Sequence, residues 1–506
     1  MSDEKRCAIN PRREKDFPEW YQQIIKAADL AEHSPVRGCM TVKPWGWAIW
    51  ENIRDWLDAR IKATGHENAY FPLFVPLSLL EKEAAHVEGF AKECAVITHH
   101  RLETHEGRLI PTGELEETLI VRPTSEALIG EAFSRWINSW RDLPIKLNQW
   151  ANVVRWEMRP RLFLRTMEFL WQEGHTAHAT EKEAWEEATM MLDEYQTLMH
   201  DLLAIPVIAG KKSPGERFPG ADETLTLECM TQDKKAIQCC TSHYLGQNFS
   251  KAFQITFNTA NGGTDYAHTT SWGVTTRLVG AMTMVHGDDN GLCVPPKVAQ
   301  YHVIIIPVLT KEEKNKDVLE ACQRLKEQLE GQLFDGKPVR VYIDAKDERA
   351  GEKGWAWIKK GAPIRIEIGP RDIEEDSCVV AIRDAENLAK EKMVLRDFVG
   401  QVESLLSAYH DRLFSRAKAF LEKNIRDDIT TFDEMKAFFT PKNAEKPEIH
   451  GGFVRAKWCE DRETEDLLKE SKLTIRCLPF EQSGTEGRCI ITGKPATCDA
   501  IFAKAY

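Results

Sequence analysis

The chain of 506 residues lacks several features that would place it in a class at once. It has no long hydrophobic run. The longest, residues 303–309 (VIIIPVL), is far too short to cross a bilayer. The opening MSDEKRCAINPRREKDF is charged and has no apolar centre, so neither a secretion signal nor a membrane anchor is expected there. Disulfide spacing is also missing: the thirteen cysteines are odd in number and scattered, and without an export signal they are expected as thiols. There is no basic surplus, because 67 Lys and Arg face 79 Asp and Glu for a net charge of −12. That argues against non-specific coating of nucleic acid, although one locally positive surface would be enough to hold an RNA or other anionic ligand. What is left is a cytoplasmic, soluble protein with no membrane and no DNA partner. Its 42% hydrophobic share suits sizeable cores, and its length suits about three domains.

The most informative stretch is NVVRWEMRPRLFLRTMEFLWQEGHTAH, residues 152–178. Arg155, Arg159, Arg161 and Arg165 fall within eleven residues, followed by Phe169, Trp171, Glu173 and His175. The run at 153–156 reads as a strand, Arg159-Pro160 breaks it, and residues 162–171 are expected to resume extended structure. A hairpin carrying that many guanidinium forks suits an anion, phosphate above all. The other reading is a solvated basic hairpin paired with surface carboxylates.

RWE, a short loop and FLRTMEFLWQEGH resemble motif 2 of the class II aminoacyl-tRNA synthetases, in the form seen in prolyl-tRNA synthetases. The resemblance implies that Arg155 holds both the α-phosphate of ATP and the substrate carboxylate, with Glu157, Arg165 and Thr166 on ATP and Trp171, Glu173 and His175 on proline. Arg159 and Arg161 would be either contacts to the tRNA acceptor or solubilising charge.

Other segments carry the same resemblance. Asp16 and Glu19 form an expected capping box before Trp20, Ile24, Ile25 and Ala28 at helical spacing. Trp47, Trp50, Ile53, Leu57 and Ile61 recur at three- and four-residue steps and lead into a proline-flanked strand at 70–76. This resembles motif 1, which in the family builds a homodimer interface. Residues 118–140 read as a strand, a turn and a helix. Thr124 and Glu126 in RPTSE are plain helix caps by composition; the resemblance makes them the ligands of proline's ammonium group. A loop of flexible composition, GERFPGAD, either closes over substrate or is bare surface. Residues 225–250 suggest a hairpin with its turn at 232–235. In QCCTSHYLGQNF the family likeness puts Gln238 and Thr241 on ATP and His243 at the proline pocket. Cys239-Cys240 are better small buried residues than metal ligands. Glu228 is the candidate ligand for Mg2+ arriving with ATP. SWGVTTR resembles motif 3, so Arg277 would grip the γ-phosphate and adenine, Thr275 would touch proline, and Gly273 would leave room for substrate. Arg155 and Arg277 are the expected catalytic pair, about 120 residues apart, which leaves no space for the editing insertion of bacterial-type members.

After Pro295-Pro296 strands and helices alternate at α/β spacing, as in the anticodon-binding domain of class II synthetases. Between Arg340 and Arg371 eight basic residues face five acidic ones, which makes Lys353, Arg365 and Arg371 candidates for the anticodon. Helices are expected at 398–421 and 431–439. At the C-terminus the family often has four zinc-binding cysteines, but here Cys459 and Cys489 stand with Thr464 and Thr492, and Cys477 and Cys498 would need rearrangement to help. Two thiolates and two hydroxyls hold zinc poorly, so no zinc is expected. The implied architecture is α/β and α+β multidomain. A class II antiparallel-sheet catalytic domain spans 1–297, an α/β anticodon-binding domain 298–405 and a small α+β C-terminal domain 406–506. The implied activity is attachment of L-proline to tRNA(Pro), with ATP consumed through a prolyl-adenylate. A threonyl- or glycyl-specific relative would share the arginines but not the TSE, WQEGH and TSH combination. A non-catalytic paralogue would have lost ATP contacts that are all present here.

Overall fold

The computed structural model describes residues 7–82, 94–309, 312–443 and 448–506. Helix α1 (Phe17–Ala27) begins where the Asp16 carboxylate accepts the Glu19 N–H at 3.1 Å. The reciprocal half of the expected capping box does not form, because the Glu19 carboxylate accepts from Gln23 at 2.7 Å instead. Helix α2 (Pro44–Ala63) buries Trp50, Ile53, Leu57 and Ile61, whereas Trp47 faces outward. Trp47 therefore leaves the stripe, while Trp45, Ala48 and Ile49 around it are buried.

The molecule is organised on an eleven-stranded sheet. Its catalytic part comprises β1 (Glu67–Asn68), β2 (Ile145–Val154), β3 (Glu168–His178), β4 (Ile208–Lys211), β5 (Glu223–Met230), β6 (Ala236–Gly246) and β7 (His268–Thr275). The C-terminal part comprises β8 (Ile425–Arg426), β9 (Phe453–Trp458), β10 (Thr474–Pro479) and β11 (Cys498–Ala503). The spatial order is β8-β9-β11-β10-β4-β5-β6-β7-β3-β2-β1, so the C-terminal strands extend the catalytic sheet instead of forming a separate one. The seam is the pairing of Leu478 and Pro479 with Lys211 and Gly210. A Cβ on Gly210 would lie 2.3 Å from the Leu478 carbonyl oxygen, so this close approach needs glycine.

Three helices position the site on this sheet. Helix α3 (Glu126–Trp136) follows the RPTSE turn. Helix α4 (Glu181–Thr197) starts on a full capping box between Thr180 and Glu183 and buries Ala184, Ala188, Met191, Leu192 and Tyr195. Helix α5 (Arg277–His286) is buried from Leu278 to its end. Trp272 of β7 lies across Gly174 of β3, where a Cβ would come within 2.0 Å of the indole. The turn at 231–235 joins β5 to β6 as the sequence suggests.

A five-stranded mixed sheet follows, built from Val303–Pro307, Val341–Ile343, Ile364–Ile368, Ser377–Ile382 and Glu391–Val394 with α6 (Glu312–Glu330) and α7 (Ala350–Lys360). Lys353 is buried here and donates to the Asp344 and Lys346 carbonyls at 3.0 and 3.3 Å, and Arg365 is only 4% exposed. Neither can reach an RNA, which corrects their place among anticodon candidates; Arg371 remains exposed. Helix α8 (Leu395–Lys423) runs continuously through position 405. Helices α9 (Phe432–Phe439) and α10 (Glu463–Glu470) complete the C-terminal part. No helix among the described residues is long and apolar enough to cross a membrane.

Candidate active site

A cavity of about 920 Å³ opens over β3, β5, β6 and β7. Its size suits a nucleotide with a small second substrate. Arg155, at the end of β2, and Arg277, at the start of α5, both line it. Arg155 donates from Nε to the Pro123 carbonyl at 3.0 Å, and its guanidinium lies 5.6 and 5.5 Å from the Phe169 and Trp171 ring centres. Arg277 donates to the carbonyls of Leu164 and Gln238 at 3.3 and 3.4 Å. Loss of water pulls the Arg155 pKa down to about 10, and Arg277 pushes it the same way while Glu126 opposes. Two cations sharing one half-enclosed space repel each other, and a polyanion between them removes that cost.

The loop that carries the other arginines differs from expectation. Strand β3 begins only at Glu168, and residues 161–165 form a tight turn in which the N–H groups of Arg161 and Arg165 each donate to the other's carbonyl at 2.7 and 2.9 Å. Phe163 adopts φ +61°, and Leu162, Phe163 and Leu164 all enter the core. With Phe163 in the left-handed region the chain doubles back, and all three apolar side chains pack inward from that turn. Arg165 pairs with Glu157 and stays largely exposed; Thr166 donates to the Glu168 carbonyl at 2.7 Å. Gln238, Thr241 and Gly273 complete this wall. At Gly273 the crowding comes from the protein itself, since a Cβ would sit 2.8 Å from the Gln172 carbonyl oxygen.

The opposite end holds a buried charge network. Glu173 accepts from Ser125 at 2.5 Å and from Gln149 at 2.8 Å, and its second oxygen meets His175 Nε2 at 2.9 Å. Burial works against the Glu173 carboxylate, but the bonds from His175, Ser125 and Gln149 outweigh it and hold its pKa below the ordinary value. Burial likewise opposes the His175 cation, and Glu173 outweighs it, so that pKa is raised. His243 goes the other way, to about 3, through burial first and then His175 and Arg155. It is the neutral imidazole of the pair, with Nδ1 3.0 Å from Thr224 Oγ1 and the Phe218 ring 4.5 Å away. Thr124 donates to Glu126, and both line the cavity with Trp171 and Thr275. This end thus offers carboxylates for a cation beside a small walled space, and the arginine end offers donors for phosphate.

A family model described as tRNA synthetase class II core domain (G, H, P, S and T) matches residues 109–286. One described as anticodon binding domain matches 302–405, and one described as prolyl-tRNA synthetase, C-terminal, matches 444–506. The chain is 61% identical to the proline–tRNA ligase of Protochlamydia amoebophila over 100% of both chains. It belongs to the proline–tRNA ligase family. It is also 53% identical to proline–tRNA ligase 2 of Anaeromyxobacter dehalogenans, over 100% of both chains, and 53% identical to the proline–tRNA ligase of Bdellovibrio bacteriovorus, over 99% of both. The fold is accordingly that of a class II synthetase with anticodon-binding and C-terminal domains.

Within this family frame, one expected residue is misplaced. Glu228 is fully buried and does not line the cavity; Lys212 Nζ lies 2.6 Å from one oxygen, and Arg476 Nε and Nη2 lie 3.0 and 2.9 Å from the other. Burial works against its charge, but Arg476 and Lys212 outweigh it and keep the pKa below the ordinary range. Both oxygens are spent, so Glu228 does not fit as a magnesium ligand. Other groups were not anticipated. Ser125 and Gln149 hold Glu173, and nothing local separates Gln149 from the other polar residues of β2, Lys146, Asn148 and Asn152. Tyr506 lines the cavity, donates to Asp233 at 2.5 Å and lies under Lys235 and Arg161 at 4.7 and 5.7 Å. Nothing local marks it.

At the C-terminal site Cys459 Sγ lies 3.6 Å from Thr492 Oγ1. The Thr464 hydroxyl is already used, accepting from Trp458 Nε1 and donating to the Asp461 carbonyl. The donor set remains two thiols with hydroxyls.

Proposed function

We propose that the cavity is where ATP and proline meet, and that the chain attaches L-proline to tRNA(Pro) through a prolyl-adenylate. The supporting observation is that Arg155 and Arg277, 122 positions apart in sequence, line one cavity that also holds the Glu173–His175 network. In the first step a proline carboxylate oxygen attacks the α-phosphorus and the bond to pyrophosphate breaks. In the second a terminal ribose hydroxyl of tRNA attacks the activated carbonyl and AMP leaves. No side chain has to act as nucleophile; the protein supplies placement and charge.

Arg155 bridges the α-phosphate and the proline carboxylate, two anions that would otherwise repel. Glu157, Arg165, Thr166, Gln238, Thr241 and Arg277 hold ATP. Thr124 and Glu126 take the secondary ammonium of proline, and Trp171, Glu173, His175, His243 and Thr275 enclose its ring. Magnesium enters on the ATP phosphates as part of the substrate, and zinc is not held. We place the protein in the cytoplasm as a homodimer with functional units at 1–297, 298–405 and 406–506. The exposed Tyr70, Phe74, Leu77 and Val96 support association near the motif 1 strand.

The test is proline-dependent exchange of pyrophosphate into ATP. Arg155→Ala lowers the exchange rate by about 10² or more if its charge is needed in the transition state. Near-normal exchange removes the role assigned to it.

A further inference from the structure

The connection from β4 to β5, residues 212–222, forms one wall of the cavity through Glu216, Arg217, Phe218 and Pro219. Its free end is fixed at the active site. The Phe218 N–H donates to Thr224 Oγ1 at 3.0 Å, the same hydroxyl that meets His243 Nδ1 at 3.0 Å, and the Phe218 ring packs on that imidazole. Its base is fixed from elsewhere. Glu465, in the first turn of α10 and only 7% exposed, reaches across from the C-terminal domain. One carboxylate oxygen accepts from Ser213 Oγ at 3.1 Å and the other from the Gly215 N–H at 3.2 Å. A Cβ on Gly215 would come 2.2 Å from that carboxylate, so the approach requires the glycine.

A buried carboxylate is costly unless its oxygens are satisfied, and here both are satisfied by the loop. We propose that Glu465 is a positioning residue for the amino-acid end of the cavity. By holding Ser213 and Gly215 it sets where Phe218 stands against His243, and so makes proline affinity depend on the C-terminal domain. The physical route is short: Phe218 lies five positions after Ser213, and the Glu216 N–H donates to the Ser213 carbonyl at 3.0 Å, which keeps the intervening turn closed. Releasing the base therefore frees the wall over proline while leaving the arginine end, on β2, β3 and α5, in place. This rests on reading the His243 end as the proline end.

The experiment measures KM for proline and KM for ATP separately in pyrophosphate exchange by the full-length enzyme. Glu465→Ala is expected to raise the proline KM about tenfold, and Gly215→Ala, which displaces the carboxylate by crowding, to do the same with the C-terminal domain untouched. The ATP KM stays within about twofold in both, and Glu465→Gln, which keeps one acceptor oxygen, recovers part of the loss. A purely structural role would move kcat and both KM values together. An unchanged proline KM in folded Gly215→Ala protein, or an ATP KM rising in step, overturns the proposal. His243→Ala tests the underlying reading by itself: an unchanged proline KM there sinks the assignment of that end, whereas a change there and none in Gly215→Ala sinks only the tether.

Discussion

Replacing Glu173 by glutamine tests the charge logic of the amino-acid end most directly. The carboxylate takes hydrogen bonds from Ser125 and Gln149 and faces His175 at 2.9 Å, and all four residues are 4% exposed or less. A hydrogen bond to a buried charge contributes about 1.5–3 kcal/mol, and breaking a buried ion pair from one side costs about 3–5 kcal/mol. Glutamine retains one acceptor oxygen, but its amide removes the charge opposite His175, which then sheds its proton. The expected loss is about 2–4 kcal/mol of stability near neutral pH. Its pH dependence carries the sharper test. Glu173 is depressed, so its contribution exists above the ordinary carboxylate pKa and fades as pH falls through the lower folded value. His175 is raised, so its contribution exists below the ordinary imidazole pKa and fades as pH climbs through the higher folded value. The difference between wild type and Glu173→Gln is therefore largest from about pH 4.5 to about pH 6.5 and shrinks on both sides. Urea unfolding across this range, with the proline KM measured in parallel, supplies both readouts. A stability gap that stays flat or widens toward alkaline pH would refute the assignment of a charged His175 bound to a charged Glu173.

Three further outcomes follow from the same geometry. Glu126→Gln removes a carboxylate that is 7% exposed and lines the cavity, and is expected to raise the proline KM about tenfold or more with little change in ATP KM; an unchanged proline requirement in pyrophosphate exchange contradicts its role. Lys212→Met leaves Glu228 buried with Arg476 as its remaining cation, and chemical denaturation should show a loss of about 3–5 kcal/mol. A loss under about 1 kcal/mol would mean that the cluster does not hold the seam between the two halves of the sheet. Elemental analysis of purified protein should find no stoichiometric zinc, since Thr464 and Thr492 stand where soft ligands would be needed; one tightly bound zinc per chain would show that Cys477 or Cys498 moves to join Cys459 and Cys489.

The way the sequence does and does not disclose the site has a physical pattern. Thr124, Glu126, Arg155, Glu173, His175, His243 and Arg277 sit in short segments whose local order fixes which strand or helix end they occupy, and the alternation along β3 and β6 turns Glu173, His175 and His243 toward the cavity that the other four also line. The α/β alternation after Pro295-Pro296 was legible for the same reason, because each strand and helix there announces itself by its own period. Local order fails where a partner arrives from far along the chain. Glu228 has the position of a metal ligand on β5, but Arg476, 248 residues away, takes one oxygen and converts it into a structural anion. Lys353 and Arg365 look like a basic surface until the α/β domain folds and buries them. Residues 162–164 have the composition of a strand, yet the core available beside Tyr21 and Gly280 takes all three side chains and imposes a turn, with Tyr21 donating to the Leu162 carbonyl at 2.8 Å. Glu465 and Tyr506 are the extreme cases: Glu465 reaches Ser213 and Gly215 just past β4, Tyr506 reaches β6 through the backbone bonds that Lys504 and Tyr506 make to Ala236, and no pattern near either residue marks it. The chemistry of this site is thus written in local motifs, and its mechanical support is written in a strand pairing more than 260 residues apart, so that disturbing Gly210 should loosen the cavity wall without touching a single substrate-facing side chain.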